Sequence, residues 1–168
     1  MRHLKSTVCL SLCLTMSSVL AAEKDASELC TSADRSQITD SIAEYAHRWD
    51  AKDAAGVAAL FAEDGRLDVW NAGEQLEGAP IVGRDRIYDY AVAAHTVRLA
   101  GKQSRHHFSS IRFVELEEQT ATTEHIAMVT HQVAGEKPVL TMTGTYRIAW
   151  TKTADGWLIA ERVLFIDR

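Results

Sequence analysis

SRHHFSSIRFVEL (residues 104–116), TATTEHIAMVTHQV (120–133), VLTMTGTYRIAWT (139–151) and WLIAERVLFI (157–166) follow one another with only short polar breaks between them. Each alternates polar residues with β-branched, aromatic or aliphatic ones, the period of a strand with one buried face. The breaks are Glu117-Glu118-Gln119, Ala134-Gly135-Glu136-Lys137 and Ala154-Asp155-Gly156. Links that short join antiparallel neighbours, since a parallel return needs a dozen residues or more. The second half of the chain is therefore expected to be a four-stranded antiparallel meander.

Upstream of it the period changes. Ile87, Tyr90, Ala91, Ala94 and Val97 have helical spacing, closed by Gly101, and residues 71–82, with Gly73, Gly78 and Pro80, read as a loop. Ile38, Ile42, Tyr45 and Trp49 mark an earlier helix from Ser36 to Asp50. Asp53 caps a shorter one carrying Val57, Leu60 and Phe61, which Glu63-Asp64-Gly65 terminates before a short strand, Arg66 to Trp70. Three N-terminal helices packed on one face of a curved, mainly antiparallel sheet make an α+β fold.

The amino terminus reads differently. Arg2 and Lys5 precede an apolar run from Thr7 to Leu20, which ends at Val19-Leu20-Ala21-Ala22, a small-residue cleavage pattern. Residues 1–21 are expected to be a secretory signal peptide, 22–35 a polar leader and 36–168 the domain. The protein is then exported, periplasmic or secreted, with no membrane insertion after cleavage, because 14 apolar residues fall short of the ~20 that span a bilayer. Leu10-Ser11-Leu12 is a poor lead-in for a lipid anchor on Cys13. Cys9 and Cys13 leave with the signal, so Cys30 is alone and no internal disulfide can form.

The 168 residues, 46% of them apolar, suit a single domain with an adequate core. Loss of Arg2 and Lys5 takes 18 basic residues to 16 against 23 acidic, a net charge of −7. That excludes nucleic acid and anionic membranes as partners.

Histidine is the side chain that titrates nearest neutrality, so acid–base chemistry is sought there first. His106 and His107 are adjacent on one strand and point to opposite faces, so only one can face the concave side. His125 and His131 share a face but stand about 20 Å apart along it. Such placing is poor for a metal, although His107 and His131 with Asp50 could be arranged around zinc, and no metal is expected. Asp50 ends the first helix, where a carboxylate meets the negative end of the macrodipole and needs a cationic partner. An Asp–His pair answers that need, and a solvated helix–helix turn at Asp50 and Asp53 is the plain alternative.

Tyr45-Ala46-His47-Arg48-Trp49-Asp50-Ala51-Lys52-Asp53 followed by Leu60-Phe61-Ala62-Glu63-Asp64-Gly65 resembles the opening of SnoaL-like domains of the nuclear transport factor 2-like superfamily. Gly83-Arg84-Asp85-Arg86-Ile87, Arg105-His106-His107-Phe108, Gly144-Thr145-Tyr146 and Asp155-Gly156-Trp157 leading to Arg162 agree in order and spacing, over about residues 36–167. The resemblance implies a cone-shaped fold and, with motifs most similar to scytalone dehydratase and lindane dehydrochlorinase, elimination without a cofactor. It carries Asp50 onto the aspartate that orients a histidine, His107 onto the strand histidine before an aromatic, and His131 onto the dehydratase's second histidine. Trp49 and Val69 fall where the dehydratase has two carbonyl-polarising tyrosines, so that apparatus is not carried over. Tyr45 or Tyr146 could replace it, or be core aromatics. Arg147 and Arg162 could bind an anionic group, or be solvated outer-face residues.

Catalysis is thus assigned to Asp50, His107 and His131, and substrate binding to Tyr45, Trp49, Val69, Tyr146 and Arg147. The expected function is a cofactor-independent lyase or isomerase of dehydratase type, acting on a small hydrophobic or oxygenated organic molecule. The alternative is an exported binding protein that holds such a molecule without chemistry. No nucleotide loop, flavin site or serine elbow is present to support a cofactor or a hydrolase triad. The resemblance also implies a homodimer formed through the outer sheet face.

Overall fold

The computed structural model describes residues 31–168. The proposed signal peptide, Cys9, Cys13, Cys30 and the leader up to residue 30 lie outside the described residues. Gln37–Arg168 form one packed unit.

Helix α1 runs over residues 31–50, so helix already occupies 31–35, where a leader was expected. Ile38, Ile42, Tyr45 and Trp49 are its buried stripe. It ends in a double hydrogen-bonded turn, Lys52 N–H to the Trp49 carbonyl and Asp53 N–H to that of Arg48, with Lys52 in the left-handed region at φ 61°. Asp53 then caps α2 (Ala54–Ala59), its carboxylate accepting from Gly56 N–H at 2.8 Å.

Strand β1 spans Phe61–Asn71. Glu63-Asp64-Gly65 do not end a helix, as the spacing predicts, but lie in β1 at a register shift between Phe61 and Arg66. Two short strands, β2 (Glu74–Gln75) and β3 (Ile81–Val82), pair back onto β1 from within the predicted loop. Helix α3 (Arg84–Ala93) continues into a wider turn, Ala94–Arg98, and buries Ile87, Ala91 and Ala94.

The meander follows as predicted, with strands β4 (Lys102–Leu116), β5 (Thr120–Val133), β6 (Val139–Thr153) and β7 (Gly156–Ile166). Strand order is β2-β1-β7-β6-β5-β4, antiparallel throughout except for β1 beside β7. That one parallel pairing needs a long crossover, and the whole meander together with α3 supplies it.

The core fills the concave face, from Tyr45 and Phe61 through Ile148, Trp150 and Ile159. A Cβ at Gly144 would overlap the Phe165 carbonyl oxygen on β7, so only glycine admits this close strand approach. Trp150 Nε1–H donates to Thr123 Oγ1 at 2.8 Å, both fully buried. Thr123→Val strands that donor and is expected to cost about 1–3 kcal/mol, read as a lower urea midpoint at unchanged m-value.

Candidate active site

Asp50 sits on the last turn of α1, opposite the start of β4. Its Oδ1 accepts from Ser104 Oγ at 2.9 Å and lies 2.7 Å from His106 Nδ1, while Oδ2 accepts from His106 N–H at 2.8 Å. The two side chains are only 10% and 6% exposed. Burial alone would push the Asp50 carboxyl up, but the hydrogen bonds from His106 and Ser104 and the imidazole charge outweigh it and hold it below the usual range. A carboxylate can only accept, so Nδ1 carries hydrogen and Nε2 of the neutral ring keeps its lone pair.

The histidine paired with Asp50 is therefore His106, not His107 or His131. His107 is exposed on the outer face, with Nε2 3.5 Å from Thr130 Oγ1. The reason is the phase of β4. Ser104, His106 and Phe108 turn inward, opposite His131, Val129 and Ala127 of β5. Between Ser109 and Arg112 the ladder slips by one residue, Ser110 taking φ 55°, and beyond it Phe113 faces inward instead. A bulge of this kind reverses which of two adjacent residues looks into the cone.

His106 opens on a cavity of about 290 Å³ inside the cone. Tyr45, Trp49, Val69, Tyr146 and His131, all expected at the site, line it. His131 lies diagonally across the β4–β5 ladder from His106, a separation of about 7–8 Å for such pairs. Burial, with the charges of Lys102, His106 and Arg98, pushes its pKa down, so it is neutral at neutral pH. Arg147 does not reach the cavity. It projects from the outer face of β6 and pairs with Glu124, 3.7 Å away, because Gly144, Tyr146 and Ile148 take the inward positions.

Arg162, one of the two arginines that alternate placing could have put outside, is on the inside. It is 4% exposed and lies over the rings of Tyr45 and Tyr146, 4.9 and 4.3 Å from their centroids. Below it, His125 packs against Tyr146 and Phe108, with ring centroids 5.2 and 4.5 Å away. A second hollow of about 500 Å³, walled by the segment between β2 and β3 and by α3, shares Val69, Leu76, Tyr90 and Arg98 with the first and adjoins its mouth. Among the described residues no three His, Cys, Asp or Glu side chains come together as a metal site. Nor, among them, is any helix long and apolar enough to cross a membrane.

Helices first, then a meander curled around one internal cavity, is the architecture of the nuclear transport factor 2-like, cystatin-like folds. Within it, the chain matches the SnoaL-like domain over residues 31–163 and belongs to that family. A nuclear transport factor 2-like protein with a cystatin-like fold from Novosphingobium aromaticivorans is 24% identical, over 84% of this chain and 86% of that one, with a TM-score of 0.73. A Mycobacterium tuberculosis protein of unknown function is 26% identical, over 88% and 76%, with a TM-score of 0.67. A second N. aromaticivorans protein, assigned provisionally as a scytalone dehydratase, is 19% identical over 83% and 87%, with a TM-score of 0.69, which bears on the fold alone. No curated protein matches the chain.

Proposed function

We propose that the protein is a cofactor-independent lyase or isomerase of dehydratase type, with His106 as its general base, acting on a small oxygenated organic molecule. The observation that carries this reading is the 2.7 Å contact between Asp50 and His106 Nδ1, on the wall of a cavity of ligand size.

In this mechanism His106 Nε2 removes a proton from a carbon beside a carbonyl. The C–H electron pair becomes the new C=C bond, and Asp50 stabilises the imidazolium. The His106 imidazolium passes that proton to the departing hydroxyl, which leaves as water, and the ring returns to its neutral form. His131, neutral across the ladder, donates an N–H hydrogen bond to the leaving oxygen. Without a leaving group, the same proton movements shift a double bond. Export and the pairing of two copies belong to the same proposal. They rest on the character of residues 1–21 and on the family resemblance.

The test is a panel of small ring-bearing β-hydroxyketones, followed by the absorbance of the conjugated enone. A substrate is expected whose turnover falls at least 100-fold in His106→Gln and stays within about twofold in His107→Gln. The reverse pattern removes His106 from the chemistry. Binding of panel members with no elimination makes the protein a carrier.

A further inference from the structure

The lining of the inner cavity carries positive charge and no carboxylate. No Asp or Glu is among its lining residues, since Asp50 stands behind His106, while Arg162 lies at its floor and Arg98 at its rim. Arg162 is buried, and among the described residues it forms no ion pair with a carboxylate. Its Nε is sealed from solvent without a hydrogen-bond partner. Its companions are the faces of Tyr45 and Tyr146. The Tyr45 phenol keeps its proton, since burial drives its hydroxyl well above the usual phenol range. The imidazoles nearby do not supply negative charge either.

Burying a cation without a counter-charge is strongly unfavourable, whereas a guanidinium packed against two aromatic faces is held in place for a ligand that brings that charge. Such an arrangement is completed by a group that is planar, anionic and brought in from outside. The apolar walls, Val69, Leu164 and Ile166 among them, suit the rest of such a molecule.

We propose that the cavity takes a small ring-bearing organic anion, whose carboxylate or phenolate oxygen is held by Arg162 at the floor while its carbon skeleton faces His106. This names the ligand class for the acid–base reading above and rests on that reading for the ligand's fate, but not for its binding. The anion, anchored at one end, fixes which carbon His106 meets.

The probes are 2-naphthoate and its neutral analogue 2-naphthamide, titrated calorimetrically into the full-length mature protein. The wild type is expected to bind the acid at least tenfold more tightly than the amide. Arg162→Met should bring the acid down to the amide's affinity, leave the amide within threefold, and melt at or above the wild-type temperature. Arg162→Lys keeps the charge without the planar fork and should keep a reduced preference. In the unmodified protein, the Arg162 Nε–H resonance should shift with naphthoate and not with naphthamide. Equal affinity for both probes, no binding of naphthoate, or a preference that survives Arg162→Met overturns the proposal. Asp50→Asn separates the two readings. If it retains the naphthoate preference and no turnover is ever found, the chemistry is lost and the anion site stands.

Discussion

Asp50→Asn leaves the fold standing and lowers turnover by two orders of magnitude or more, the scale of losing an acid–base participant. The hydrogen bonds around the side chain dictate this. Three donors converge on the carboxylate: the Ser104 hydroxyl and His106 Nδ1 on one oxygen, the His106 backbone N–H on the other. Asparagine offers one oxygen and two N–H donors. If the amide oxygen meets the backbone N–H, its NH2 faces Nδ1 and drives the ring hydrogen to Nε2, the atom that must carry the lone pair. If the amide turns over, two donors face each other at the His106 backbone. The first arrangement is the one expected, because Ser104 Oγ can rotate to accept. It is visible without substrate, as a switch of the His106 ring from Nδ1–H to Nε2–H in 15N NMR spectra. Full turnover in a variant whose tautomer has switched would remove the dyad from the mechanism.

Acidification destabilises the protein well above the range in which its carboxylates titrate, and His125 is the main cause. Neither of its ring nitrogens has a hydrogen-bond partner, and it is 2% exposed. Burial first, and the Arg162 charge second, push its pKa down from 6.5 to about 4. Between those values the unfolded chain binds the proton and the folded one does not. Stability is therefore lost as pH falls from about 6.5 toward 4, by roughly 3 kcal/mol over the whole window. Burial also lowers His95 and His131, which act with the same sign. Asp50, held below its ordinary value, stabilises above that value and gives way only at more acidic pH. Urea midpoints at pH 7 and pH 4.5 should separate widely in the wild type and much less in His125→Leu. Parallel shifts in the two proteins would place the acid sensitivity elsewhere.

The meander was legible because its period is two and its breaks are short, and the first helix because Ile38, Ile42, Tyr45 and Trp49 keep strict helical spacing. Asp50 stood out for a local reason, a carboxylate where the helix dipole repels one. Its partner was not legible. His106 and His107 differ only in strand phase, and phase is set by a bulge at Ser109–Arg112 that leaves no strong mark in composition. Arg147 and Arg162 posed the same difficulty, one outside and one in. A phase signal did exist: Tyr146, Ile148 and Trp150 share a parity that turns Arg147 outward. For Arg162, inward placement breaks the rule that charges are buried only in pairs, which is why the sequence gives no warning of it.

The segment that carries β2 and β3 stands apart from both the dyad and the arginine floor. Leu76 touches the inner cavity and the outer hollow alike, yet the strands on either side of it are only two residues long and pair with no strand but β1. The base is secured at the junction of α1 and β4, and the floor by β6 and β7. Substitutions at residues 76–79, between the two strands, can therefore redraw the entrance while the rest of the cone stays in register. Selection for a new guest, natural or in the laboratory, has a segment to work on that neither the proton-handling pair nor the folding core depends upon.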